Sequence, residues 1–452
     1  MKAILSENLT LLAKNCPAPL YVVGGAVRDF LAGLLGKERD IDLCAPLTPE
    51  LFIEAAKKSG FTPQAVYKNT GTVKLKDQSG ADYEFTSFRS DKYVRGQHSP
   101  AEIFFTDDIV KDAKRRDFKA NAVYYDIALD AFVDPLGGMD DIKKKRLSTV
   151  DDPKKVFGED GLRLMRLARQ AGQTGFIPTD ECLCGAKQNA ELICDISAER
   201  IYTELSYCLF ADEKYGNPTG HYDAFQILKK IGVLSVLLPE LALGDGMSQR
   251  SDFHRYDVLE HSLRALLYAK KNVRLAALLH DVGKPYCTLN FGNSHEHNKE
   301  GERIVREILT RLKAPKKTVE KTAQLTLFHM YDFNCETKEN KLRKFFVEHG
   351  KILPELADLK QADFSGCMDD LSPCPTNRKW SEIQERMRKE HAPQTLKELK
   401  INGNELLLLG AKKTSVSPLL KRLLVHAANN PKDNTKERLL TLAASWIRGE
   451  RL

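Results

Sequence analysis

The sequence predicts a multidomain protein, with an N-terminal α/β head built on a mixed, antiparallel-leaning sheet and an all-α remainder. Three observations carry this. Up to about residue 145, short β-branched runs alternate with turn signals such as Asn69-Thr70-Gly71 and Ser79-Gly80. From about Val156 onward strand patterns nearly vanish and long segments of helical period follow. The 452 residues suffice for about three domains with separate cores.

In chain order, residues 1–15 carry Glu7 and Lys14 inside an apolar pattern, which predicts an amphipathic helix rather than a signal segment. Pro49–Lys58 reads as a helix, and Ala65–Tyr67, Thr72–Leu75 and Asp82–Thr86 read as strands. Helical periodicity then covers Glu159–Ala171, Ala198–Leu209, Asp223–Ile231, Asp257–Lys270, Arg274–His280 and Lys299–Leu312. The expected divisions are a head at 1–145, a helical neck at 146–245, a third region at 250–370 and a tail at 371–452. No run approaches the roughly 18 apolar residues of a membrane helix. Ten scattered cysteines without a C-x-x-C pair predict reduced thiols in a cytoplasmic protein.

The chemistry centres on Val22 to Asp42. A β-branched strand enters the turn Gly24-Gly25, which opens a short helix leading to Arg39-Asp40-Ile41-Asp42. Two glycines let the backbone approach a bulky anion, and the helix N-terminus behind them offers N–H groups. On a strand Asp40 and Asp42 point the same way. Paired carboxylates beside a phosphate-sized cradle suit Mg²⁺ and the two-metal chemistry of phosphoryl or nucleotidyl transfer. Glu84, on a later strand, is a candidate third acid or base, with an ordinary edge-strand glutamate as the alternative.

Arg115-Arg116-Asp117-Phe118-Lys119-Ala120-Asn121 adds two arginines for phosphate and an Asp and Asn for ribose hydroxyls. Asp117 as a plain helix cap is the competing reading. Asp134 to Asp141 reads as a tight turn closing the head. In Glu159-Asp160-Gly161-Leu162-Arg163-Leu164-Met165-Arg166, Asp160 and Arg163 are expected on one helical face with Arg166 continuing it. An acceptor and a donor fork facing out together can read a base edge; an intrahelical ion pair is the alternative.

In this order the motifs resemble the bacterial class II CCA-adding tRNA nucleotidyltransferases and their poly(A) polymerase relatives, over roughly residues 20 to 240. The resemblance implies that Asp40 and Asp42 bind catalytic Mg²⁺ and that Gly24, Gly25 and Arg28 hold the triphosphate. It implies that Asp117 and Asn121, with Arg116 nearby, check the ribose. It implies that Asp160 and Arg163 act as a protein template for CTP and then ATP, with Arg166 as a further nucleotide-binding candidate. Phe88 to Arg115 has the length of the family's flexible loop, with Tyr93 to Pro100 where relatives usually carry more arginine. The expected activity is CCA addition to tRNA 3′ ends; poly(A) synthesis and partial CC- or A-addition are the rivals within the class.

A second constellation lies in the middle of the chain. His261, the pair His280-Asp281 and Asp363 offer nitrogen and oxygen ligands for one divalent transition metal, leaving open positions. The pattern resembles the HD phosphohydrolases, and His297-Asn298-Lys299-Glu300-Gly301 matches a follow-on motif of that family. His297, with His295 and His329, is a further ligand candidate. The resemblance implies a metal-dependent phosphodiesterase or phosphatase, and an HD phosphodiesterase with an RNA-binding head is the rival from another class.

From Leu371 onward 16 Lys/Arg face 8 Asp/Glu, so the net charge of +7 sits in the tail. A basic helical module suits a polyanion, here tRNA. Leu396 to Leu406 and the helices after it resemble the tRNA-contacting tail of CCA-adding enzymes, and Lys412, Lys413, Lys421 and Arg422 are the expected phosphate contacts.

Overall fold

The computed structural model describes residues 1, 5–34, 41–93 and 100–449. The chain divides into two compact units, Met1–Leu243 with Ile308–Ala314, and Gly244–Glu307 with Pro315–Leu452.

The head in the first unit runs α1 (Glu7–Asn15), β1 (Tyr21–Val23), α2 (Gly25–Ala32), β2 (Ile41–Ala45), α3 (Pro49–Lys58), β3 (Thr62–Tyr67), β4 (Thr72–Lys76) and β5 (Asp82–Ser87). It continues with β6 (Arg89–Lys92), β7 (Glu102–Phe105), α4 (Ile109–Lys114), β8 (Tyr124–Asp126), β9 (Ala131–Val133) and α5 (Gly138–Lys143). Local chemistry sets several of these bounds. Thr48 caps α3 by accepting from the Leu51 amide, Pro49 occupies its first turn, and Lys57 and Lys58 sit in its last.

Seven strands form one sheet in the order β3-β4-β5-β2-β1-β8-β9. It is mixed: β2 and β5 pair in parallel while every other neighbouring pair is antiparallel. Val22, Leu43, Cys44 and Phe85 fill its core, and Phe52 of α3 stacks on Phe85 at 3.6 Å between ring centroids. The segment expected as a flexible loop contains structure. Arg89↔Phe105 through Lys92↔Glu102 pair as an antiparallel ribbon, followed by α4, because alternating side chains and the Asp108 cap give each half a local partner.

The neck is helical: α6 (Pro153–Glu159), α7 (Leu162–Thr174), α8 (Asp180–Gln188), α9 (Ala198–Leu209), α10 (Ala211–Tyr215), α11 (Gly220–Lys230), α12 (Val233–Leu237) and α13 (Pro239–Ala242). A two-strand parallel bridge, β10 (Arg146–Leu147) with β11 (Ile177–Pro178), ties its start together.

The second unit comprises α14 (Val258–Tyr268), α15 (Arg274–Leu279), α16 (Gly283–Phe291), most of α17 (His297–Arg311), α18 (Lys316–Phe328), α19 (Glu339–His349), α20 (Leu353–Met368) and α21 (Pro375–Lys389). It ends with α22 (Gly403–Leu408), α23 (Lys413–Asn429) and α24 (Lys436–Arg448). One apolar cluster joins Leu325, Leu356, Leu359 and Trp380, and a second joins Leu406, Leu423, Leu439 and Leu442 in the tail. Asn402 and Glu405 form a reciprocal capping box at α22. No helix among the described residues is long and apolar enough to cross a membrane.

Candidate nucleotide site and metal centre

In the first unit, a cavity of 310 Å³ opens at the Gly24 turn. Gly24, Gly25, Arg28, Asp42, Arg116, Asp117, Asn121, Asp160, Arg163 and Arg166, drawn from four separated motifs, all line it. Gly24 adopts a φ of +80°, and a Cβ there would stand 3.0 Å from Asp42 Oδ2. The turn therefore favours glycine for its backbone, and a side chain there would also crowd the Asp42 carboxylate. Val23 pairs with Asp42 across β1 and β2, which fixes that carboxylate at the mouth of the turn. Asp40, its expected companion, lies outside the described residues.

Glu84 pairs in register with Asp42 across the parallel β2–β5 contact. Its carboxylate is half exposed and faces Lys74 at 3.8 Å, and it is not among the residues lining the cavity.

Behind the turn lies a buried polar network. Arg28 donates through Nε and Nη2 to Asp29, through Nη2 to Tyr215, and through Nη1 to Asn121 at 2.8 Å and Gln170 at 3.0 Å. These five bonds use all five guanidinium donors. Arg28, expected to hold the triphosphate, lines the cavity and also braces α2 against Asn121 and α7. Asp117 accepts from Asn121 at 2.9 Å and from Arg166 at 2.8 Å. Burial alone would raise its pKa, but Arg166, Asn121 and Arg163 outweigh burial and hold it well below the usual range. Arg116 donates to Asp112 and Tyr124, so its guanidinium is held by buried partners.

Asp160 departs from expectation. It is the extended C-cap of α6, and α7 begins at Leu162, so Asp160 and Arg163 do not share a helical face. The run breaks at Asp160 itself, whose backbone is extended while that of Gly161 is already helical, and the Asp160 carboxylate accepts from the Leu162 amide at 2.9 Å. The two residues still meet at the cavity wall. Burial raises the Asp160 pKa more than Arg163 and Arg166 lower it. Arg163 donates to the Val156 carbonyl, Glu159 and the Arg115 carbonyl, each at 2.9 Å.

The sequence reading missed Gln170, Gln173, Arg169 and Lys214 on the same wall. Arg163, Arg166, Gln170 and Gln173 recur at three- and four-residue steps along α7. That polar stripe on an otherwise buried helix was the available signal.

In the second unit the histidines converge. His261 comes from α14, His280 and Asp281 from the turn after α15, His297 from the first residue of α17, His329 from the end of α18 and Asp363 from α20. His261 Nε2 lies 3.1 Å from His280 Nε2, 3.3 Å from Asp281 and 3.1 Å from Asp363. His297 Nε2 lies 3.2 Å from both His329 Nε2 and Asp281. His280, His297 and His329 donate Nδ1–H to the carbonyls of Ala277, Ser294 and Thr326. Their Nε2 atoms then point inward, and each close N···N contact, His261 to His280 and His297 to His329, needs a shared proton or a shared cation. Donor atoms of His261, His280 and Asp363, and of His280, Asp281 and His329, each fall within 4.8 Å of one another. These residues fit a divalent metal.

Burial alone would lower the His280 pKa, but Asp281 and Asp363 push it up to about 10, whereas burial lowers His329 to about 4. Lys284 reaches Asp281 at 2.5 Å and went unnoticed in the sequence. His295 is exposed and outside the cluster, because the Glu296 turn directs it to the rim. A 460 Å³ cavity beside the cluster is lined by His297, Lys284, Arg250, Phe253 and Phe333.

Lys412, Lys413, Lys421 and Arg422 are all exposed at the start and middle of α23. The Arg422 guanidinium lies 4.0 Å over the Trp446 ring.

The mixed sheet with its glycine turn, the carboxylate strand and the arginine-lined neck define a nucleotidyltransferase of the poly(A) polymerase type. Three family profiles agree: "Poly A polymerase head domain" over residues 20–148, "Probable RNA and SrmB- binding site of polymerase A" over 175–243 and "HD domain" over 258–363. The chain belongs to the family of CCA-adding enzymes and related tRNA nucleotidyltransferases. It is 31% identical to the multifunctional CCA protein of Neisseria gonorrhoeae over 69% of this chain and 73% of that one. It is 30% identical to the A-adding tRNA nucleotidyltransferase of Deinococcus radiodurans over 77% and 76%. A CCA-adding enzyme of Geobacillus sp. is 36% identical over 42% of this chain, a stretch that spans 45% of that relative. The fold matches the crystal structure of Bacillus stearothermophilus CCA-adding enzyme in complex with CTP at a TM-score of 0.68, with 22% identity over 98% of this chain and 99% of that one.

Proposed function

We propose that this enzyme adds CCA to the 3′ ends of tRNA from CTP and ATP. The observation that carries the reading is the single cavity into which the Gly24 turn, Asp42, the Asp117–Asn121 pair and the Asp160–Arg163 wall all open. The tRNA 3′ hydroxyl attacks the α-phosphate, the bond to the β-phosphate oxygen breaks, and pyrophosphate leaves. Gly24 and Gly25 let the triphosphate approach the backbone, and the amides opening α2 donate to it. Arg28 positions that helix by locking Asn121 and Gln170. Asp117 and Asn121, which line the cavity, are the candidates for testing the ribose hydroxyls. Asp160 and Arg163 offer an acceptor and a donor to a base edge, which favours C and then A.

Asp42, with Asp40, is the candidate Mg²⁺ ligand, and Asp42 fits that part because its carboxylate is packed against the glycine turn. Mg²⁺ bound there supplies charge neutralisation for the triphosphate and the attacking hydroxyl. Catalysis by the chain is then largely positioning. The basic tail, through Lys412, Lys413, Lys421 and Arg422, holds tRNA phosphates. The ten cysteines are free thiols, in keeping with a cytoplasmic enzyme.

The test is incubation of the protein with tRNA lacking its CCA, with labelled CTP and ATP separately and together. Addition that stops at CCA supports the reading. C alone, A onto tRNA-CC alone, or an open-ended A tail replaces it with a partial enzyme or a poly(A) polymerase. No incorporation overturns it.

The histidine cluster favours a second activity, metal-dependent phosphoester hydrolysis. His261, His280, Asp281 and Asp363 would hold the ion, with His297 and His329 beside Asp281. Lys284 and Arg250 give the adjoining cavity the positive charge a phosphoester needs. Phosphate release from 2′,3′-cyclic and 2′-phosphorylated ends tests it, and a wild-type rate in His280→Ala would refute it.

A further inference from the structure

His261 has two ring nitrogens, and only Nε2 faces the His–Asp cluster. Its Nδ1 is buried, on a residue with 0% exposure, and has no hydrogen-bond partner among the described residues. This breaks the pattern of the cluster, in which the outer nitrogens of His280, His297 and His329 are each tied to a carbonyl. His254 Nδ1 is likewise enclosed and unpartnered. The two rings stand edge to face, 4.8 Å apart. Cys367 completes a triangle: one donor atom each from His254, His261 and Cys367 lie within 4.8 Å of one another.

We infer that His254, His261 and Cys367 form an additional metal site, selective for a thiophilic divalent ion such as zinc, on the outer side of the His261 ring. This goes beyond the hydrolase reading, which uses only the inner nitrogen. Two imidazoles and one sulfur are a borderline-soft donor set, unlike the nitrogen and carboxylate donors of the cluster itself. The site is built into the fold. A Cβ at Gly366 would stand 2.7 Å from the Ala265 amide nitrogen, so a glycine is what brings α20, and Cys367 with it, onto α14 and His261. His254 lines the 460 Å³ cavity, which gives an ion its route in and leaves a fourth position for water. Binding deprotonates the Cys367 thiol. When both sides of the His261 ring are coordinated the ring is an imidazolate, and both protons leave to solvent, so uptake releases protons. The ring then links the two ions, and filling one site changes the affinity of the other.

The experiment is cobalt loading of the metal-free full chain, followed by its absorption spectrum and bound stoichiometry. Thiolate ligation adds a near-ultraviolet sulfur-to-cobalt charge-transfer band to the weaker visible bands of nitrogen and oxygen sites. The expected result is that band in the wild type, its loss with a single equivalent of cobalt in Cys367→Ser, and its loss or marked weakening in His254→Ala. The visible bands of the His–Asp cluster persist in both variants. His254 is only partly buried, so its alanine variant guards against a folding defect at Cys367. A wild type with visible bands but no charge-transfer band overturns the inference and leaves the hydrolase centre standing. A band that survives Cys367→Ser overturns it as well, by assigning the sulfur elsewhere. No cobalt uptake at all overturns both.

Discussion

Arg28 and Gln170, 142 positions apart in the chain, meet at 3.0 Å in a buried bond that joins the first helix after the glycine turn to the longest helix of the neck. Arg28→Lys keeps the charge and loses the fork. It takes from the buried Asn121 Oδ1 its donor and leaves the buried Gln170 Oε1 with Asn121 Nδ2 alone. The expected cost is about 2–3 kcal/mol, read as a lower urea midpoint at unchanged slope. Gln170→Ala leaves Arg28 its other partners and costs less.

Asp42 and Glu84 separate by their surroundings although they are in register. Asp42→Ala is expected to lower nucleotide incorporation about 10³-fold, in the range seen for loss of a key charge-stabilising group. Glu84→Gln, whose partner is an exposed lysine, should cost less than 10-fold if the edge-strand reading holds, since exposed pairs contribute about 0–1 kcal/mol. Single-turnover incorporation with CTP compares the two. An equal loss would put Glu84 at the reacting atoms.

Acid should loosen the head through Asp112. Burial would raise its pKa, but Arg115 and Arg116 overcome burial and bring it down to about 2. A carboxylate lowered on folding stabilises the folded state above its unfolded pKa, and that stability is lost as pH falls through the folded value. The window is therefore about pH 4 down to 2, and the contribution at neutral pH is about 2 kcal/mol. Asp112→Asn should lower neutral stability and flatten the acid limb in a pH series of denaturant midpoints.

The histidine cluster and the nucleotide cavity belong to different units, so their activities should be separable. His280→Ala is expected to lose metal binding and phosphoester hydrolysis while CTP incorporation stays at the wild-type rate. Metal analysis beside both assays decides it. A parallel fall in incorporation would show that the two units work as one.

The tail is testable by salt. Lys412→Ala with Lys413→Ala should weaken tRNA binding and reduce the slope of log K against log salt by about 1 to 2, as expected for two lost phosphate contacts. An unchanged slope would exclude them as contacts.

Much of this was legible because it is local. α3 and α9 fall on their expected bounds since caps, period and turn residues lie within a few positions of each helix end. The motifs at Gly24, Asp42, Asp117 and Asp160 were legible through their order and open onto one cavity, while Glu84 and the turn at 134–141 do not line it. Asp160 misled because the 3.6-residue period runs straight through Gly161, while the break depends on where α6 ends. Gln170 and Lys284 stayed hidden because their partners are set by tertiary approach, which no spacing encodes. The outer nitrogen of His261 could not be read at all, since a letter does not say which side of a ring is satisfied.

The order of strands has a consequence for how the head is made. β1 is among the first segments to leave the ribosome, yet it lies inside the sheet, and its neighbour on one side is β8, with Tyr21 opposite Asp126. Until that late strand is synthesised, β1 keeps an open edge of unpaired amides and carbonyls. The nascent chain thus carries a template for mispairing through most of the head's translation. Pauses before Tyr124, rather than after it, are where aggregation of the growing polypeptide should begin.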